Sequence, residues 1–160
     1  MTDDARFEDA TERPLRLRAE TAEDLEVVSA LLQDSVGKVG DAVWMPGRRR
    51  FAVFLNRFRW EDRAAAERAG RPFERVRSAL LIEHATKVRA MGVSPRDKEQ
   101  MVSLLSIQFD KGEECEGVVR LILAGDGEIA IDVECLELSV ADVTRPYVAP
   151  SRKAPSHPAG

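Results

Sequence analysis

Apolar positions along this chain change period once, near Gly37, from helical spacing to alternation. Ahead of that point residues 15–19 read as a short strand. Thr21, Ala22, Glu23 and Asp24 follow as a capping box in which Asp24 stands where Glu or Gln is usual. The Thr21 hydroxyl would accept a bond from the amide three residues on, and the acids suit the positive end of a helix. Leu25, Val28, Leu32 and Val36 then recur on one side, with Glu23, Glu26 and Gln33 on the other, predicting one amphipathic helix of about three turns. Gly37, free to take left-handed backbone, is the predicted stop.

Beyond Gly37 the pattern is that of strands. Residues 39–45 and 50–60 flank Pro46, Gly47, Arg48 and Arg49, a turn sequence, and predict an antiparallel hairpin in which Trp44 faces Phe51. Residues 61–71 are mostly Ala, Glu and Arg without an apolar stripe, as in a surface helix or a loose insertion. Residues 73–91 are too long for one flat strand and should bend or break between Glu83 and Ala85. A turn at Ser94, Pro95, Arg96 and Asp97, a strand over 101–109 and a loop over 110–117 come next.

The last hairpin sets 118–124 against 128–133 across Gly125, Asp126 and Gly127. A three-residue loop pairs Leu121 with Ile131, Leu123 with Ile129 and Val119 with Val133, and places Arg120 opposite Asp132. A two-residue loop would lose that charge match. Past the hairpin the apolar phase shifts between Cys135 and Leu136, which reads as a bulge.

The sum is an α+β fold: one N-terminal amphipathic helix with an antiparallel β barrel or sandwich of about seven to eight strands. Residues 15–143 form its single globular domain. Residues 1–14 are acidic with little to bury and read as a disordered arm. Residues 144–160, with Pro146, Pro150, Pro155 and Pro158, read as a disordered tail.

Composition narrows the classes. A chain of 160 residues that is 44% hydrophobic can build one core. A net charge of −4 with 32% charged residues excludes a wholly disordered chain and a global polycation. No apolar run reaches the length of a signal peptide or a membrane span, so a soluble, cytoplasmic protein without membrane contact is expected. Cys115 and Cys135 belong to no CxxC or Cys/His pattern and read as free thiols.

Candidate chemistry is sparse. There is no GxSxG, P-loop or GxGxxG, and His84 and His157 have no ligand spacing with the cysteines. Asp132 and Glu134 alternate along one strand, as acids on a solvent face do. No catalytic residue, metal ligand or cofactor is expected.

Charge is unevenly spread: 44–77 holds ten arginines against four acids, and 97–142 holds twelve acids against three basic residues. The two segments should attract each other. Arg48, Arg49 and Arg50 sit at a predicted hairpin tip, exposed in any fold. Arg57 and Arg59 share a strand face with Phe51, Val53 and Leu55, so burial would oblige them to find partners. With Asn56 and Glu61 they form a candidate site for a small anion or a partner's carboxylate, or else a scaffold network.

Residues 33–61, QDSVGKVGDAVWMPGRRRFAVFLNRFRWE, and the later segment AGDGEIAIDVECLELSVAD resemble a bacterial family catalogued as a domain of unknown function. The resemblance covers about residues 15–143. It is most specific at Asn56, Arg57, Phe58, Arg59, Trp60 and Glu61, supported by Gln33 with Asp34 and by Val133, Glu134 and Cys135. It implies one intact domain and supplies no chemistry.

The expected function is therefore a non-enzymatic binding or accessory domain that recognises a protein partner or a small anionic ligand. One alternative is RNA or single-stranded DNA binding through the arginine hairpin and the interleaved Phe51, Phe54, Phe58 and Trp60. Another is self-association into a homo-oligomer through charged sides or a sheet edge.

Overall fold

The helix predicted after Thr21 forms, but it is shorter than the apolar spacing suggests. The computed structural model describes residues 14–70 and 72–148. The acidic arm up to residue 13 and the tail beyond Val148 lie outside the described residues. Helix α1 spans Ala22–Leu32, with the Thr21 hydroxyl accepting from Asp24 N at 3.1 Å. Its end is set at Asp34, which itself takes the left-handed conformation (φ 64°) and donates its N–H to Leu104 O at 2.7 Å. Val36 and Gly37 therefore leave the helix and enter strand β2 (Ser35–Lys38). Gly37 is required there for a different reason from the one expected: a Cβ on it would stand 2.8 Å from Phe54 O.

Strand β1 (Arg16–Ala19) precedes the helix, and β3 (Ala42–Met45) and β4 (Arg50–Phe58) follow β2. Trp44 faces Phe51 across β3 and β4, as the alternation required. A second helix, α2 (Arg63–Ala69), occupies the Ala-rich stretch and ends at Gly70 (φ 66°). Then come β5 (Glu74–Ile82), β6 (Ala85–Met91), β7 (Met101–Lys111), β8 (Gly117–Leu123), β9 (Glu128–Val133), β10 (Leu138–Asp142) and β11 (Tyr147–Val148). All belong to one eleven-stranded sheet ordered β1-β10-β5-β4-β2-β7-β8-β9-β6, with β3 also on β4 and β11 on β5.

This corrects the expected fold. Among the described residues two short α-helices accompany eleven strands, and the sheet is open, with β1 and β6 at its ends, so it is neither a closed barrel nor a sandwich of seven or eight strands. Four strands of two to four residues, β1, β2, β3 and β11, are too short to announce themselves by alternation. The bend at Glu83 and His84 is real, with His84 at φ 58°, and it sends one continuous run into two places in the sheet. The phase shift at Cys135 is no bulge: β9 ends at Val133, and the chain crosses to β10 elsewhere in the sheet.

The last hairpin keeps its predicted faces but slips by two residues. Leu121 pairs with Ile129, Val119 with Ile131 and Arg120 with Ala130. Gly125 and Asp126, at φ 79° and 65°, make the reversal, and Leu123 N donates to Gly127 O. Arg120 consequently meets Glu128 and Asp110, while Asp132 pairs with Arg89. Tyr147 and Val148, placed by sequence in the tail, pair with Arg75 and Glu74 of β5.

The sheet wraps one core. Leu25, Val28 and Leu32 of α1 pack with Phe51, Val53, Leu80, Leu121 and Ile131, each contributing about 1.5–3 kcal/mol through burial.

Candidate functional site

Strand β4 and its two ends carry every arginine of interest, and the strand's alternation decides what each can do. Phe51, Val53, Leu55 and Arg57 are its alternating buried positions, so Arg57 enters the interior with 1% of its surface exposed. A guanidinium there is tolerated only if its donors are matched. Arg57 Nε and Nη2 grip Asp142 of β10 in a two-point fork at 3.0 and 2.9 Å, and Nη1 reaches Glu61 at 2.9 Å. Asp142 also accepts from Ser78 Oγ at 2.7 Å and from Leu15 N at 2.9 Å.

Burial opposes both charges, yet the bonds prevail. Burial alone would raise the Asp142 carboxyl, but hydrogen bonds from Arg57, Leu15 N and Ser78 hold it below its usual value. Burial would lower the Arg57 guanidinium, and Asp142 and Glu61 hold it above.

The rest of the Asn56–Glu61 string is likewise engaged. Asn56 Oδ1 accepts from Tyr147 OH at 2.9 Å, and Asn56 O accepts from Arg75 at 3.2 Å. Arg59 lies against Glu74 at 3.0 Å and Asp62 at 3.6 Å. Phe58 stacks edge-on with Trp60, centroids 4.6 Å apart, and the Trp60 indole donates to Gln33 O at 3.3 Å. The structure thus engages Asn56, Arg57, Arg59 and Glu61 in separate sets of contacts near one end of β4: Arg57 with Asp142 and Glu61, Asn56 with Tyr147 and Arg75, and Arg59 with Glu74 and Asp62.

Arg48, Arg49 and Arg50 are not part of it. They lie at the opposite end of β4, some nine residues or roughly 30 Å away. Arg48 is exposed in the turn at Pro46–Arg48; Arg49 (φ 50°) pairs with Glu134, and Arg50 Nε stands 2.7 Å from Glu83. The predicted attraction between the basic and acidic segments is realised at Arg57–Asp142 and Arg49–Glu134. Arg50, Arg63 and Arg77 instead pair closer to home, with Glu83, Glu67 and Asp41.

A concave feature that sequence reasoning missed lies near the same end as the arginine turn. Trp44 of β3, Phe51 and Val53 of β4, Val88 of β6, Val102 of β7 and Ile129 of β9 line a cavity of about 290 Å³. Its walls come from β3, β4, β6, β7 and β9, and it reaches from β3 to β6, which do not pair with each other. Lys38 is the sole charged residue among its lining, and its Nζ already meets Glu99 at 3.1 Å. The size sits at the lower end of small-molecule sites, and the lining is of the apolar, aromatic kind that such sites use. Trp44 facing Phe51 was legible as a stabilising pair; that both border a cavity depends on β6, whose position no local pattern encodes.

Residues 15–157 match the family described as "Protein of unknown function (DUF2948)". The chain belongs to this family. No curated protein and no solved structure gives a significant match. The family's span includes the Arg57 network, the cavity and β11, and it runs past the boundary at 143 that the sequence suggested.

Among the described residues, no group of three or more His, Cys, Asp or Glu is arranged to hold a metal ion, and no helix is long and apolar enough to cross a membrane.

Proposed function

We propose that this domain is a non-enzymatic binding module whose ligand is a small molecule with an apolar body, seated in the cavity between β3 and β6. The observation that carries the reading is the cavity itself, about 290 Å³ and lined by Trp44, Phe51, Val88 and Ile129. An anionic ligand finds less support, because Arg57 is enclosed by Asp142 and Glu61, and Arg49 and Arg50 face Glu134 and Glu83. Nucleic-acid stacking has little to use: Phe51 and Phe58 are buried, and Arg77 covers Phe54 at 5.1 Å.

Amide chemical-shift titration with indole, cyclohexanol and octanol tests the proposal. Saturable shifts concentrated at Trp44, Val88 and Ile129, abolished in Val88→Trp, are expected. Scattered or unsaturable shifts with every compound would remove the cavity from consideration.

A further inference from the structure

The two cysteines, unrelated by sequence spacing, are related by register. The β8–β9 ladder ends at Gly117 opposite Val133. Continued two residues outward in the same register, it would set Cys115 opposite Cys135. Positions two apart share a sheet face, and facing residues in an antiparallel ladder keep Cα atoms about 4.5–5.5 Å apart, within the range of about 4.4–6.8 Å that a disulfide spans.

We propose that Cys115 and Cys135 are a reversible disulfide pair, a modification site that fastens the β7–β8 turn to the β9–β10 connection. Both are free thiols here, Cys115 exposed and Cys135 half-buried. A neighbour of each cysteine is bonded to another stretch of chain. Gly112 N donates to Glu116 O at 2.7 Å, closing the β7–β8 turn, and Glu134 N donates to His84 O at 2.9 Å, one residue beyond the Ala85–Val133 pair of β6 and β9. The turn is short, and residues 112–116 are exposed. Burial raises the Cys135 thiol first, and then the negative charge of Glu137, of a Cys115 thiolate and of Glu134 adds to it.

The oxidant is a low-molecular-weight disulfide. The Cys115 thiolate attacks one of its sulfurs and expels a thiolate, which takes up the proton Cys115 lost. Cys135 then gives up its proton and attacks Cys115 Sγ, forming the protein disulfide and releasing a second small thiol. Two protein thiols are oxidised and one small disulfide is reduced. The order follows exposure, since Cys115 is the reachable sulfur. The site is independent of the cavity reading.

The full chain is treated with 2-hydroxyethyl disulfide, quenched by alkylation, digested and analysed by mass spectrometry. A monomer carrying a Cys115–Cys135 linked peptide is expected, reversed by dithiothreitol, while Cys135→Ser stops at one adduct on Cys115. The link should form roughly tenfold or more faster in folded protein than in urea, because the ladder sets the local concentration. Two separate adducts on folded wild type, links between chains, or no acceleration over the unfolded chain would overturn the proposal.

Discussion

Asp142 accepts four hydrogen bonds from three separate stretches of chain, two from Arg57, one from Ser78 and one from Leu15 N. Removing its charge strands a guanidinium that is 1% exposed. Asp142→Asn should therefore lower stability by about 3 kcal/mol, with Glu61 left as the remaining counter-charge. In a chain of this size that corresponds to a fall in Tm of about 10 °C, readable by circular dichroism. Arg49→Ala, at an ion pair whose partners are 62% and 50% exposed, should cost about 0–1 kcal/mol.

The same carboxylate predicts a pH response. Its folded pKa is depressed, so its contribution is present above the unfolded value of about 3.9 and is lost as pH falls through that value towards the folded one. Urea midpoints measured from pH 6 downward should hold level and then drop below about pH 4, and the Asp142→Asn variant should flatten that part of the drop. That Arg57 would need a partner was readable from its place among Phe51, Val53 and Leu55. Which acid it takes was not, because Asp142 is 85 positions away and looks like any other member of the acidic segment.

At the scale of elements, Gly37 shows how a correct residue can carry an incorrect inference. A glycine after an apolar stripe reads as a helix end, yet here it admits β4's backbone, with Phe54 O only 2.8 Å from where a Cβ would be. Gly37→Ala should therefore destabilise by about 1–3 kcal/mol through overpacking, with no change in helix content, and thermal denaturation with far-ultraviolet circular dichroism separates these effects. Local signals served well where a single element sufficed to explain them: the Thr21 cap, the β3–β4 hairpin and the break at His84 all stand. They failed where two elements compete for the same residues. Pairing Arg120 with Asp132 favours one β8–β9 register on charge alone, but Glu128 and Asp110 satisfy Arg120 equally in the register that forms, where Gly125 and Asp126 take positive φ at the reversal. Strand number failed for a related reason, since a strand of two residues such as β11 is defined by its neighbour β5 rather than by its own sequence.

Across the whole molecule the sheet has a centre and two loose margins. β4 and β5 are paired on both sides, whereas β1 and β6 end the order and β11 adds only two pairs. Native-state hydrogen exchange should be slowest in Val53, Leu55 and Leu80 and at least about a hundredfold faster in β1 and β11, reflecting local opening without global unfolding. Uniform protection across all strands would contradict an open sheet. The margins also bear on timing. Leu15 is tied to Asp142 across 127 positions of chain, and the ladder partner of β1 is β10. On a ribosome, β1 has no ladder partner until β10 has been synthesised, so Leu17 and Ala19 wait without a ladder while hairpins such as β3–β4 and β8–β9 can already close. β1 and β10, far apart in the chain, enter the sheet as partners late rather than first.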